Sequence, residues 1–279
     1  MKIIFQKNKS SSINIALVEI VKNSEETQVV LLPSGQKIIQ LGVKESKKIN
    51  CRRLITLIRQ IIILVKANKI KQLAIEVNQL VFGSLKLSDL ELGQILAQET
   101  LLANFEFNQY KTKPAKGWSQ VEELVLVGQV SIGFKKGVER GLIIGQEIND
   151  CRTLANMPGS LMTPTILAEA AKTAASKSKI KFSVLGVAEM KKLKMNAILG
   201  VAQGSAEKPK FIIMEYWGAI KSQKPLVLVG KGVTFDAGGL NVKPGDSMYE
   251  MHMDMSGGSA VIHAISAAAK LKVKKNIIA

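Results

Sequence analysis

One glycine-rich stretch constrains this chain more than any other. Residues 229–243 read Val-Gly-Lys-Gly-Val-Thr-Phe-Asp-Ala-Gly-Gly-Leu-Asn-Val-Lys, and they follow the short apolar run Pro225-Leu-Val-Leu-Val229. A continuous apolar run between a proline and a glycine is typical of a buried parallel strand. The glycines allow the backbone to turn tightly beside a small ligand. The stretch therefore predicts a strand that ends in a ligand-binding loop, as at the carboxyl edge of an open α/β sheet.

Four ionisable residues in or just after this stretch have mostly apolar or glycine neighbours. They are Lys231, Asp236, Lys243 and Asp254. A phosphate-binding loop of the form G-x-x-x-x-G-K-[ST] does not fit, because Pro225 stands in place of the first glycine and Gly232 follows the lysine. Carboxylates favour divalent cations, whose charge lowers the pKa of a nearby lysine amine. Lys231 could thus be a metal ligand and Lys243 an electrophile.

The loop, together with Lys243-Pro and Met251-x-x-Asp254-Met-x-Gly-Gly, resembles the metal-binding segment of the leucyl aminopeptidases, the M17 or cytosol aminopeptidase family. The resemblance implies two divalent ions, either manganese, zinc or magnesium. It assigns Lys231 and Asp254 to one ion and Asp236 as a bridge between both. It makes Lys243 the group that polarises the scissile carbonyl and places Met251 in the pocket for the first side chain. The implied reaction removes N-terminal residues, with leucine preferred, from peptide substrates.

The resemblance is incomplete in one respect. In the family, the remaining metal ligands and an arginine that holds bicarbonate lie in an Asn-Thr-Asp-Ala-Glu-Gly-Arg segment, which does not occur in residues 1–279. We therefore expect a catalytic domain truncated at its C-terminus, ending within a buried strand. Turnover by this chain should be weak or absent. The homo-hexamer that the family forms is doubtful here for the same reason.

The length of 279 residues indicates two domains. We predict an N-terminal α/β domain over 1–135 and an incomplete metallopeptidase domain over 136–279, each with a mixed or largely parallel sheet flanked by helices. Ser88 and Glu91 predict a capping box at a helix start, and Thr163 with Pro164 predicts another helix start. A long helix is predicted over 134–155 and a strand over 197–201.

The composition limits the cellular compartment in which we expect this protein. Only two cysteines are present, which excludes a disulfide scaffold and fits a reducing compartment. No run reaches the roughly 18 apolar residues of a membrane span, and the N-terminus lacks the apolar core of a signal peptide. These features predict a cytoplasmic protein without a membrane partner.

The net charge of +17 raises nucleic acid as an alternative partner. The lysines are dispersed and aromatic residues make up only 5%, so a basic solvated surface is the favoured interpretation. The runner-up function is a non-catalytic remnant or a DNA-binding or regulatory protein. His252 and His263 match no family ligand, and His263 is expected to pack within a helix. Asp246 and Glu250 are expected to be solvated loop acids.

Overall fold

The computed structural model describes residues 1–8 and 12–279. The chain divides into two compact units, Met1–Gln146 and Glu147–Ala279. Each unit contains a sheet with helices, so the predicted fold class is confirmed. The predicted domain boundary after residue 135 falls inside a helix and stays a prediction. Within the described residues, no helix has both the length and the apolar character needed to cross a membrane.

The first unit is built on a six-stranded sheet. Its strands are β1 Lys2–Gln6, β2 Ile15–Lys22, β3 Gln28–Leu31, β4 Lys37–Val43, β5 Gln72–Glu76 and β6 Glu123–Val127. The order across the sheet is β1-β6-β5-β2-β4-β3, and every neighbouring pair is parallel except β3 with β4. The sequence analysis did not predict β1, which extends the parallel region by pairing with β6.

Three helices begin in this unit. They are α1 Cys51–Ala67, α2 Asp89–Asn104 and α3 Ile132–Ala155. The predicted capping box of α2 is confirmed, because Ser88 Oγ accepts from the Glu91 N–H at 3.3 Å while the Ser88 N–H donates to Glu91 Oε2 at 2.8 Å. Gly93 lets α2 approach α3 closely, since a Cβ there would lie 2.3 Å from the carbonyl oxygen of Phe134.

The core of the first unit follows the two-residue period of its strands. In β5, Leu73 and Ile75 join the large cluster that includes α1 and α2, while Ala74 between them joins a smaller cluster. Successive side chains of a strand point to opposite faces, so the two clusters lie on opposite sides of the sheet. The burial on both faces agrees with a mostly parallel sheet.

The second unit contains a four-stranded mixed sheet and five further helices. Its strands are β7 Lys181–Leu185, β8 Phe211–Trp217, β9 Leu226–Val227 and β10 Asn276–Ile278. The helices are α4 Pro164–Ser178, α5 Val187–Lys192, α6 Asn196–Val201, α7 Gly245–Met248 and α8 Ser256–Lys270. The strand order is β7-β8-β10-β9, with β9 parallel to β10 and the other two pairs antiparallel. α4 and α8 share one apolar cluster with β8 and β10.

Local signals set where α4 starts and ends. Thr163 caps it, with Thr163 Oγ1 accepting from the N–H of Ile166 at 3.2 Å, and Pro164 occupies its first position as predicted. Lys179 ends the helix in a left-handed conformation with φ 55°.

Two local predictions in this unit were wrong. The strand after Pro225 was expected to be buried, but Leu226 is 57% exposed and Val227 58% exposed, because β9 is two residues long and pairs only with β10 in the described sheet. Residues 197–201 form part of helix α6 instead of a strand, since the Ala202 N–H donates to Ile198 O at 3.1 Å. The β-branched residues of α6 obscured this short helix in the sequence.

Candidate metal centre

The glycine-rich loop after β9 is fixed to the start of α8 by backbone contact. The N–H of Gly258 donates to the carbonyl oxygen of Lys231 at 2.6 Å. A Cβ at Gly230 would lie 2.3 Å from the carbonyl oxygen of Gly257 and 2.8 Å from the Cα of Gly258. Only glycine permits so close an approach at this position. The contact holds Lys231 beside the residues that lead into α8.

Lys231 and Asp254 form the first charged pair of the loop. Lys231 Nζ lies 2.6 Å from Asp254 Oδ1, and the Asp254 side chain is 15% exposed. The other oxygen, Asp254 Oδ2, is buried and has no hydrogen-bond partner among residues 1–8 and 12–279. A buried carboxylate oxygen without a partner is costly, so its presence in a folded chain calls for an explanation. A bound cation would supply one.

Asp236 and Lys243 form the second pair. Lys243 Nζ lies 3.4 Å from Asp236 Oδ2, and Asp236 Oδ1 accepts from the N–H of Gly238 at 2.8 Å. Gly238 adopts φ +95°, which turns the loop back so that the N–H of Lys243 reaches the carbonyl oxygen of Ala237 at 2.9 Å. The hydrogen bond from Gly238 lowers the pKa of Asp236, and the charges of Lys243 and Lys231 lower it further. The influence of Lys231 on Asp236 links the two pairs electrostatically.

The fifth predicted residue, Met251, begins a short 3-10 turn over Met251–Met253. Its carbonyl oxygen accepts from the N–H of Asp254 at 3.3 Å, so the turn sets the backbone just before the carboxylate. Met251 itself is half-buried, and its contact with substrate stays a prediction. Asp246 and Glu250 are exposed, as expected for solvated acids.

A second group of ionisable side chains lies between α3 and α8, and the sequence analysis missed it. Glu147, Asp150 and His263 each offer a ligand atom, and these atoms lie within 4.8 Å of one another. His263 Nδ1 lies 2.8 Å from Glu147 Oε2, and Lys270 Nζ binds Glu147 Oε1. His263 is buried as predicted, but its partner is 116 residues away, and no local pattern signals such a pair.

The pKa of the buried Glu147 carboxylate depends on its two partners, His263 and Lys270. Burial raises the pKa of Glu147, but the hydrogen bonds from His263 and Lys270 outweigh that effect, and the pKa lies below its ordinary value. Both oxygens of Glu147 are therefore engaged by hydrogen-bond donors or cations.

The donor set of the loop fits a divalent cation. Asp236 and Asp254 offer carboxylate oxygens, which hard and borderline divalent ions prefer, and Lys231 offers an amine once it loses its proton. The buried oxygen of Asp254 without a hydrogen-bond partner is the observation that favours this assignment. The fold and the loop together are those of an α/β protein with a candidate site for a divalent cation.

Comparison with known proteins finds similarity to one family. Residues 149–279 match the model of the cytosol aminopeptidase family, catalytic domain. A relative from Bdellovibrio bacteriovorus, named "Probable cytosol aminopeptidase", is 38% identical over 219 residues, which are 77% of this chain and 43% of the relative. One of the same name from Nitrosococcus oceani is 47% identical over 146 residues, 52% of this chain and 29% of the relative. The chain is thus similar to cytosol aminopeptidases, and it spans less than half the length of these relatives.

Solved structures share the fold. The K354E mutant of tomato leucine aminopeptidase superposes with a TM-score of 0.81 at 21% identity, covering 100% of this chain and 61% of that one. The bottromycin maturation enzyme BotP in complex with Mn gives 0.80 at 20% identity, with 96% and 58% covered. At such identities the likeness establishes the fold alone, and it extends over both units of the chain.

Proposed function

We propose that this chain supplies part of a dinuclear metal centre that removes N-terminal residues from peptides, with leucine-like side chains preferred. The observation that carries the proposal is the buried Oδ2 of Asp254, which lacks a hydrogen-bond partner in the described parts of the chain. It lies in the loop whose sequence carries the family resemblance, next to an amine at 2.6 Å from its sister oxygen. A divalent ion at this position would satisfy both the oxygen and the sequence pattern.

Three residues would hold the metal ions. Lys231 and Asp254 would bind one ion, and Asp236 would lie between both. Manganese is a reasonable first choice among manganese, zinc and magnesium, because BotP, a structural neighbour, is described in complex with Mn. When bound, such ions supply Lewis-acid activation of water and of the peptide carbonyl.

Side chains of this chain would also contact the peptide substrate and stabilise charge on it. Lys243 would place its positive charge near the carbonyl oxygen and stabilise the negative charge that develops there. Its amine lies 3.4 Å from Asp236, which keeps it beside the carboxylate that would hold both ions. Lys231 would offer its amine nitrogen to the ion held by Asp254, whose Oδ1 lies 2.6 Å away. Met251 would contact the first side chain of the peptide.

We expect residues 1–279 to hydrolyse leucine p-nitroanilide weakly or not at all when manganese is added. Three ligand side chains do not fill the coordination of two ions, so the ions would be bound loosely. Bicarbonate and hexameric assembly, which the family resemblance implies for complete enzymes, stay predictions. Robust activity that a chelator removes would contradict the expectation of weak turnover.

Metal binding tests the proposed centre separately from turnover. Calorimetric titration of residues 1–279 with Mn²⁺ should show binding that Asp254→Asn or Asp236→Asn weakens by about tenfold or more, the scale seen when the support of a metal site is lost. Asp246→Asn is the matched control, because Asp246 is an exposed acid on the same segment and has no proposed role. Equal Mn²⁺ affinity in all four proteins would rule out the proposed ligands.

A further inference from the structure

We propose that Glu147, Asp150 and His263 form a second cation site, suited to zinc or a similar transition-metal ion and separate from the glycine-rich loop. Glu147 and Asp150 lie on α3, and His263 lies on α8. Their ligand atoms are within 4.8 Å of one another. None of the three belongs to the loop segment, so the proposal stands whether or not the aminopeptidase function does.

Helix geometry brings the three side chains together. Glu147 and Asp150 are three residues apart on α3, which places them on the same face one turn apart. His263 approaches that face from α8, with Nδ1 at 2.8 Å from Glu147 Oε2. In a tetrahedral zinc site with bonds of about 2.0–2.2 Å, the ligand atoms lie about 3.3–3.6 Å apart. The 2.8 Å between Nδ1 and Oε2 would have to widen slightly, and any separation near the 4.8 Å limit would have to shorten.

The ligand types and their surroundings favour zinc over calcium or magnesium. One imidazole nitrogen and two carboxylate oxygens form a mixed set of the kind that binds zinc, whereas calcium and magnesium prefer oxygen ligands alone. Glu147 is 3% exposed and His263 is 9% exposed, so packing restricts both side chains. Asp150 is half-buried, so the cluster is partly accessible to solvent.

The competing interpretation is a buried ion network that needs no metal. Lys270 already binds Glu147 Oε1, and His263 already binds Glu147 Oε2. The two partners use different oxygens, so an ion bound by Nδ1 and Oε2 would replace that hydrogen bond and leave Lys270 in place. Lys270 would then orient the carboxylate from outside, as partners of metal ligands commonly do.

One property follows that a metal-free network would lack. Because the ion would connect α3 with α8, it should raise the temperature of unfolding when present in excess.

The test uses residues 1–279 carrying Asp236→Asn and Asp254→Asn, which removes the carboxylates of the glycine-rich loop. Zinc is titrated in competition with a chromophoric chelator, and cobalt is used as a second probe because its absorption reports nitrogen and oxygen ligands. We expect one ion per chain, with affinity lowered by about tenfold or more in Asp150→Asn and in His263→Gln. Glu169→Gln, an exposed acid on α4, should bind as the parent does.

Absence of a bound ion in the parent, or unchanged affinity in Asp150→Asn, would overturn the proposal. Circular dichroism of each variant establishes that it is folded. If His263→Gln does not fold, Asp150→Asn still decides the question, because Asp150 is only half-buried and its replacement keeps the shape of the side chain.

Discussion

The second unit contains two clusters of charged side chains, and they differ in whether both oxygens of the buried carboxylate have partners. In the cluster between α3 and α8, both oxygens of the buried Glu147 have partners, His263 and Lys270. Just after the glycine-rich loop, Asp254 has one buried oxygen without a hydrogen bond in the described residues. Its partner on the loop, Lys231, has a side chain that is 58% exposed. In the first cluster the protein itself supplies partners for both oxygens, and in the second one buried carboxylate oxygen is left without a protein partner.

The contrast indicates that buried charges with partners and buried charges without partners contribute differently to the stability of the fold. A buried pair is costly to break because the remaining charge is left without compensation, whereas an exposed pair contributes little to stability. An unsatisfied buried oxygen lowers stability and persists where something else selects for it. Stability measurements on the two clusters should therefore diverge.

The largest expected effect comes from removing Glu147. Glu147→Ala should lower the free energy of unfolding by about 3–5 kcal/mol, because it leaves Lys270 and His263 facing a buried gap. Asp236→Ala, on the loop, should cost much less, because the Lys243 and Asp236 side chains of its ion pair are 31% and 39% exposed and solvent weakens the pair. Urea unfolding of both variants measures the difference. Equal losses would remove the distinction between the clusters.

An intermediate effect is expected where the loop crosses α8. Gly230→Ala should destabilise by about 1–3 kcal/mol, because the new Cβ would meet the backbone of Gly257 and Gly258. Gly245→Ala is the matched control, since no atom lies within 4 Å of a Cβ at that position. A neutral result for Gly230→Ala would show that the loop is not held against the helix.

The smallest expected effect is the response to acid. The pKa of Glu147 lies below its ordinary value of 4.5, so this carboxylate stabilises the fold above that pH and loses its contribution as pH falls through the lowered pKa. The stability of the wild-type chain should therefore fall more between pH 7 and about pH 3 than that of Glu147→Gln. Urea midpoints at the two pH values give the comparison. Parallel losses would assign the acid sensitivity to other carboxylates.

Much of the fold could be predicted because its signals are local. The capping box of Ser88 and Glu91 and the Thr163-Pro164 start of α4 each use residues within three positions of one another. Residues 197–201 misled the prediction, since six-residue helices carry too few turns for a clear period. The prediction that β9 is buried was wrong because the order of strands decides which of them lies at the edge of the sheet. That order depends on segments that are distant in the sequence.

The charged residues of the loop could be predicted because they lie close together in the sequence, whereas those of the second cluster are far apart in it. Lys231, Asp236, Lys243 and Asp254 lie within one contiguous stretch of unusual composition, and the structure pairs Lys231 with Asp254 and Lys243 with Asp236. Glu147 and His263 meet only through the packing of α3 on α8, and each looks ordinary within its own helix.

The hydrogen bond from the Gly258 N–H to the Lys231 carbonyl oxygen has a consequence for entropy. It ties the backbone of Lys231 to the start of α8, four residues after Asp254, before anything binds. Ordering a backbone residue costs about 1–2 kcal/mol, and here folding has already met that cost. A ligand that arrives at the loop would need to order side chains only, so a larger share of its interaction energy would remain as affinity.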